Sequence, residues 1–356
     1  MIPIDPLYAS KPFKAAILEF QNKPLVIDKI YLPEYLHYGQ ILVRIKYSGI
    51  CGSQLGEISG KKGIDKYLPH LLGHEASAEI LQVGPGIVDL EAGDNVVLHW
   101  RQSKGIQSDP PVYKWNNKKL NAGYVTTFNQ YAIVSHNRVT KIAKDFDPRV
   151  AALYGCAITT GFGVIENNMN LKIGNSVLVF GAGGVGLNII QAAKIKGAFP
   201  IIAIDLFDNR LKLAKKIGAD FILNSKKINN IFTEINKLLG NKKLDFFIDN
   251  TGNVEVIQNG YKLLAKEGRL VLVGVPDSKS DITIHSLDMH FGKSIIGSHG
   301  GESIPDEDIP RYINFQNNKS INFNEIITEE FILDDINVAL DRMVTGDLAG
   351  RCLVKL

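Results

Sequence analysis

The stretch Val177-Leu-Val-Phe-Gly-Ala-Gly-Gly-Val-Gly-Leu187 decides the fold of this chain. An apolar run that reads as a strand enters the glycine pattern Gly181-x-Gly183-x-x-Gly186, and a helix-like segment, Leu187 to Lys196, follows. The first glycine permits a tight turn, the second lets the backbone approach a pyrophosphate, and the third lets helix and strand pack closely. The helix N-terminus offers its N–H donors to the anion. A glycine-rich turn alone is a weak signal. Here a second apolar run, Pro200 to Asp205, ends in an acid 19 residues beyond Gly186. Such an acid binds a ribose 2′-hydroxyl and repels a 2′-phosphate. Taken singly, Asp205 reads equally well as an ordinary surface aspartate; with the glycines in register, NAD is the better reading.

Around this turn, strand-like runs alternate with helical ones. Runs at Val177–Phe180, Ile201–Ile204, Phe221–Leu223, Asp245–Asp249 and Arg269–Val273 alternate with helical segments near Leu187–Lys196, Asn209–Ile217, Ile228–Leu239 and Val254–Leu264. That rhythm predicts a parallel, doubly wound α/β sheet, the Rossmann arrangement, over 158–297. Residues 1–157 read instead as short β segments broken by glycine, among them Ile41–Tyr47, Ala78–Val83 and Asn95–His99. They predict a β-rich, partly barrel-like module. The mixed tail, 298–356, is expected to return to it. Val97–Tyr131 reads as an irregular excursion, the kind of loop that shapes binding sites.

Bulk composition excludes several classes. The 356 residues, 45% hydrophobic and 22% charged, suit a globular protein of about two domains. A net charge of +3 with scattered lysines does not favour nucleic acid or an anionic membrane. No apolar run approaches the roughly 18 residues that span a bilayer, and no secretory leader pattern is present. Three widely spaced cysteines fit a reducing compartment, and a cytoplasmic location is expected.

Three short segments outside the nucleotide fold look chemical: Gly49-Ile-Cys-Gly-Ser53, Gly73-His-Glu75, and Gly155-Cys156 leading into Thr159-Thr-Gly161. Two thiolates and one imidazole make a tetrahedral zinc site with its fourth position open. Spacing does not prove that they converge. Singly, Cys156 also reads as a small buried hydrophobe and His74 as a core histidine.

These motifs, in this order and followed by Gly181 to Gly186, resemble the medium-chain zinc-dependent alcohol dehydrogenases over nearly the whole chain. The resemblance implies a GroES-like catalytic domain made of the N-terminal part and the tail, with the NAD-binding domain between them. It assigns Cys51, His74 and Cys156 to one catalytic zinc, Glu75 to an acid beside it, and Ser53 to the hydroxyl that touches the substrate oxygen. Gly181, Gly183, Gly184 and Gly186 fall on the cofactor turn. Val185 and Thr160 fall beside the nicotinamide, with the backbone from Val273 to Val275, and Thr251 falls among the cofactor-binding residues. Asp205 and Arg210 fall near the adenosine ribose, and Arg351 on a pyrophosphate contact. Trp100, Arg101 and Ser298 fall on the substrate pocket. A homodimer or homotetramer joined through the sheet edge near Asp281–Ile296 is also implied.

The departures matter as much. Many relatives carry four cysteines for a structural zinc in the excursion; here no cysteine lies between Cys51 and Cys156, and Tyr113, Trp115 and Tyr124 are the expected anchors. The position after Ser53 usually carries an aspartate that buttresses the zinc-binding histidine, and here it is Gln54, whose amide oxygen is expected to accept the imidazole N–H. Gly56 stands where some relatives end a proton relay in histidine, leaving Glu57 or a ribose-to-water route. Gly52 stands where some have an arginine on the pyrophosphate. The reaction expected is reversible hydride transfer between an alcohol and NAD, with zinc as Lewis acid. A polar rim of His99, Trp100, Arg101 and His299 points to a polyol, sugar or cyclitol-like substrate, while Arg101 and His99 read equally well as solvated loop residues. The competing readings are a zinc-free quinone or enoyl reductase and a non-catalytic nucleotide-binding protein.

Overall fold

The computed structural model describes residues 1–240, 242–319 and 321–356, and these divide into two compact units. One comprises 1–156, 304–344 and 351–356; the other comprises 157–303 and 345–350. Among the described residues, no helix is long and apolar enough to cross a membrane.

In the second unit, Val177–Phe180 pairs in parallel with Ile201–Asp205 on one side and Leu244–Asp249 on the other. The six-stranded sheet runs Phe221–Asn224, Ile201–Asp205, Val177–Phe180, Leu244–Asp249, Leu264–Leu272, Ser294–Gly297. Strand order therefore reverses at the glycine-bearing strand, the switch point at which doubly wound sheets bind nucleotides. Every residue of Val177–Phe180 and Ile201–Asp205 is buried, as helices on both faces of a parallel sheet require. The helix after the glycine turn starts at Gly184, three residues before the expected Leu187, because the turn's own glycines form its first turn. The fifth strand also starts early, at Leu264. Leu264 pairs with Leu244 before an irregularity carries the register to Phe246 and Arg269.

The tail rejoins the first unit at Ile304, not at 298. Ser298 continues the sheet by donating its N–H to the Leu272 carbonyl at 2.8 Å, and the Gly301 carbonyl accepts from Asn167 at 2.8 Å. Residues 345–350 likewise group with the second unit. There Asn209 donates to the Gly346 carbonyl at 3.0 Å and Arg210 to the Leu348 carbonyl at 3.1 Å.

The spine of the first unit is the ten-residue strand Gln40–Gly49. It pairs antiparallel with Glu75–Val83, Tyr131–Ser135 and Arg351–Lys355. Ile41, Val43 and Ile45 enter one apolar cluster with Ala78, Ile80 and Leu98. Leu42, on the other face, joins Phe13, Ile17, Ile30 and Trp115. The period of two therefore buries both faces of this strand, each large aliphatic contributing about 1.5–3 kcal/mol.

The Val97–Tyr131 excursion is more regular than its sequence suggests. Val112–Trp115 and Lys118–Asn121 form a hairpin, and Asn116 and Asn117 take positive φ (48° and 60°) in its two-residue turn. Tyr113 is buried and its hydroxyl accepts the Ile133 N–H at 2.8 Å, while the Trp115 indole donates to Asp28 at 2.7 Å. Tyr124 is not an internal anchor. It is exposed, with the Arg138 guanidinium 5.2 Å from its ring centroid.

Candidate functional site

Strand Gln40–Gly49 delivers Cys51 to the N-cap of the short helix Gly52–Ile58. The neighbouring strand, Glu75–Val83, is immediately preceded by His74 and registers Ala76 against Ser48, which brings His74 beside Cys51. Cys156 follows the helix Pro148–Leu153, which opens with Pro148 and with Asp147 accepting the Arg149 N–H at 2.9 Å. Gly155 makes the last approach possible. A Cβ there would sit 2.2 Å from the Leu98 carbonyl and 2.8 Å from the Glu75 Cα. The ligand atoms of Cys51, His74 and Cys156, spread over 105 positions of sequence (156 − 51), consequently lie within 4.8 Å of one another.

The charges around this cluster are arranged for a cation. The His74 Nε2 is buried and has no hydrogen-bond partner. The Cys51 thiol is held well below its ordinary range, first by the Cys156 thiol and then, against burial, by Arg351 and His74. Cys156 is correspondingly raised, by Cys51 and by burial. Burial pulls the His74 ring down, but Cys51 and Glu75 outweigh it and raise its pKa. Two thiols and an imidazole nitrogen, all inward-facing, are the donor set of an open tetrahedral zinc site.

Glu75 and Arg351 form a buried ion pair here, 0% and 3% exposed, with Arg351 Nη2 2.8 Å from Glu75 Oε1. Arg351 Nη1 also donates to the Ile50 carbonyl at 3.0 Å. The resemblance implies a pyrophosphate contact for Arg351. The structure gives its guanidinium to Glu75 and to the backbone next to Cys51, a use that nothing local in the sequence signals.

Gln54 departs from expectation. Its Oε1 accepts the Cys51 backbone N–H at 2.7 Å, and it is its Nε2 that lies 2.8 Å from His74 Nδ1. The amide oxygen expected to serve the imidazole is already engaged. On the same helix the Ser53 hydroxyl is buried without a partner, and Glu57 is paired with Lys62 at 3.0 Å.

In the second unit the glycine turn is built for close approach. Gly181 has φ +97°, and a Cβ on Gly186 would sit 2.0 Å from the Gly181 carbonyl. Gly183 is the N-cap of the helix that starts at Gly184, with Val185 in its first turn. Asp205 Oδ2 accepts the Ala182 N–H at 2.8 Å and Oδ1 the Phe207 N–H at 3.1 Å, with Arg210 Nη1 3.8 Å away. The acid is thereby fixed to the phosphate turn and aimed beside it. Thr251 donates its hydroxyl to Asp249 at 2.6 Å, and Val273 and Gly274 donate their N–H groups to the Asp249 carbonyl at 2.8 and 2.9 Å. These ties line up the ends of two adjacent strands, Leu244–Asp249 and Leu264–Leu272. Thr160 is buried on the helix Ala157–Gly163, while Val275 is exposed.

Of the expected pocket residues, Trp100 and Arg101 lie together half-buried, the guanidinium 6.0 Å from the indole centroid. His99 is not a rim residue. It is 0% exposed, its Nδ1–H donates to the Arg101 carbonyl at 2.8 Å, and its Nε2 accepts from Thr140 at 3.0 Å. Burial pushes its pKa down to about 4, so it is a neutral core side chain. Ser298 accepts the Gly301 N–H at 3.1 Å and His299 is exposed.

Comparison with known proteins agrees with this geometry. Residues 37–144 match the alcohol dehydrogenase GroES-like domain, and residues 184–318 match the zinc-binding dehydrogenase model. An alcohol dehydrogenase of Geobacillus stearothermophilus is 30% identical, over 96% of this chain and 99% of that protein. An S-(hydroxymethyl)glutathione dehydrogenase of Paracoccus denitrificans is 26% identical, over 94% and 97%. The crystal structure of an alcohol dehydrogenase zinc-binding domain protein from Burkholderia ambifaria superposes with a TM-score of 0.86 at 25% identity, over 97% of this chain and 99% of that one. A 30% identical relative matched end to end, two family models in the right order and a converged Cys-His-Cys cluster leave one conclusion: the chain belongs to the medium-chain zinc-dependent alcohol dehydrogenases, with zinc and NAD as its cofactors.

Proposed function

We propose that the protein interconverts an alcohol and its carbonyl compound by hydride exchange with NAD, at the Cys51–His74–Cys156 cluster. The observation that carries this reading is the convergence of those three donors around a buried, partnerless imidazole nitrogen, with the partnerless Ser53 hydroxyl two residues from Cys51. Zinc held there supplies the Lewis acidity that makes an alcohol hydroxyl easy to deprotonate at neutral pH. NAD supplies the hydride acceptor, and Asp205 beside the glycine turn selects it over its 2′-phosphorylated form. Ser53 takes the hydroxyl proton. Glu57, already paired with Lys62, is the weaker candidate for the next station, and the ribose-to-water route is the stronger. Glu75 and Arg351 hold the charge balance beside the thiolates. The zinc-free reductase and recruited-binding readings lose ground, since neither gives a reason for three inward-facing zinc donors.

The polyol reading of the substrate rests on Trp100 and Arg101 alone once His99 is withdrawn into the core. A homodimer or homotetramer through the Ser294–Gly297 edge strand is supported by exposed Leu287, Met289 and Phe291 just before it. The wide spacing of the three cysteines supports a cytoplasmic location. The test is zinc content with turnover on an alcohol panel, for the parent and for Cys51→Ala. One zinc per chain and NAD-linked turnover, both lost in Cys51→Ala with NADH binding retained, is expected; turnover retained without zinc would overturn the reading. Arg101→Ala should depress polyol turnover selectively, and equal turnover would remove the polyol assignment. Light scattering of the purified protein reads the oligomer, a monomer mass counting against it.

A further inference from the structure

We infer that Gln54 acts as a brake on metal loading, because its amide is complementary to the one tautomer of His74 that cannot ligate through Nε2. The inference rests on the reading of the cluster as the zinc site. Gln54 is 0% exposed and stands between two groups, the Cys51 backbone N–H at 2.7 Å and His74 Nδ1 at 2.8 Å. The backbone N–H is a fixed donor. The amide oxygen is turned to Cys51 and the amide nitrogen, which only donates, to His74, so in this arrangement the second contact is a hydrogen bond only if His74 accepts. His74 must therefore present a lone pair at Nδ1, which puts the ring hydrogen on Nε2. That is the nitrogen facing the cluster, buried and without a hydrogen-bond partner.

An imidazole that ligates zinc through Nε2 carries its hydrogen on Nδ1. That hydrogen would meet the Gln54 amino group. Turning the amide over moves the same donor-against-donor contact onto Cys51, so the conflict does not depend on which way the amide is drawn. Burial denies either group a replacement acceptor from solvent. A carboxylate of the same length has two acceptor oxygens and would serve both donors at once. Gln54 is thus a positioning residue that favours the metal-free cluster, and zinc affinity should fall about 10–100-fold below that of a site with a carboxylate there.

The experiment measures zinc affinity of the chelator-stripped full chain by competition with a chromophoric chelator, with the thiolate-to-cobalt absorption band as an independent report of ligation. Three proteins are compared: parent, Gln54→Glu and Gln54→Met. Gln54→Glu should tighten zinc about 10–100-fold. Gln54→Met, which removes the opposing amino group without adding charge, should bind zinc at least as tightly as the parent. An ordinary acceptor amide would give the opposite sign, so tenfold weaker binding in Gln54→Met overturns the proposal even if Gln54→Glu tightens. Gln54→Glu within twofold of the parent, with the cobalt band intact, also overturns it. Should Gln54→Glu fail to fold, the sign of Gln54→Met decides. If none of the three takes up zinc or cobalt, the zinc reading of the cluster has failed instead.

Discussion

Replacing Glu75 by Gln keeps the shape of the side chain and removes the charge opposite Arg351. Both groups are buried, 2.8 Å apart; burial works against the Arg351 charge, but Glu75, and after it Cys51 and Cys156, outweigh burial and keep the guanidinium charged. Deleting one partner of such a pair strands the other, at a typical cost of about 3–5 kcal/mol. Arg351 retains the Ile50 carbonyl and the new amide still offers an oxygen, so the loss should lie at the lower end, about 3 kcal/mol. Arg351→Met should cost as much or more, since it leaves a carboxylate with no cation. The double variant strands no charge, so its loss should fall short of the sum by about 0.5–3 kcal/mol. Both tryptophans, Trp100 and Trp115, lie in the same unit as the pair, so urea unfolding followed by their fluorescence reports on the right part of the molecule. A loss below about 1 kcal/mol in Glu75→Gln, or strict additivity in the double variant, would refute the assignment of a strong buried pair.

Three further outcomes follow from the geometry. His99 has a folded pKa near 4 against 6.5 unfolded, so the unfolded chain binds the extra proton between those values. Stability from this residue is full above about pH 6.5 and is lost as pH falls to about 4, amounting to about 3 kcal/mol; urea midpoints across that window should slope more steeply in the parent than in His99→Gln. Asp205→Ala removes a carboxylate set beside the glycine turn and should shift the NAD:NADP affinity ratio about 10–100-fold toward NADP, read by fluorescence titration of the two reduced nucleotides. Gly155→Ala drives a methyl group against the Leu98 carbonyl, 2.2 Å away, and should displace Cys156; expected is a folded protein by circular dichroism with most of its zinc lost, and full zinc occupancy would contradict the packing described.

The doubly wound sheet was legible in the sequence because parallel strands buried on both faces leave unbroken apolar runs, as Val177–Phe180 and Ile201–Asp205 do. Boundaries moved wherever a backbone partner, rather than a side-chain pattern, sets the end, as with Leu264 on Leu244. The hairpin at Val112–Asn121 was hidden because its turn is Asn-Asn rather than Asn-Gly, and its strands alternate over only four residues each. The metal donors were legible as residue types in motifs. Their supports were not, because each acts across the fold: Arg351 reaches residues 50 and 75, and the Gln54 amide divides itself between Cys51 and His74. His99 was misread since a histidine at a strand end carries no sign of whether its hydrogen bonds are inside or out.

Arg351 opens the last strand of the chain, Arg351–Lys355, which pairs with Gln40–Gly49 on one side and Ile327–Ile332 on the other. The three metal donors, by contrast, have all been synthesised by residue 156. While the chain is being made, the donors exist for some two hundred residues of elongation without the guanidinium that neutralises Glu75 beside them. Completion of the cluster thus waits on the arrival of Arg351, and a chain cut before residue 351 would keep every metal donor yet lack the cation paired with Glu75.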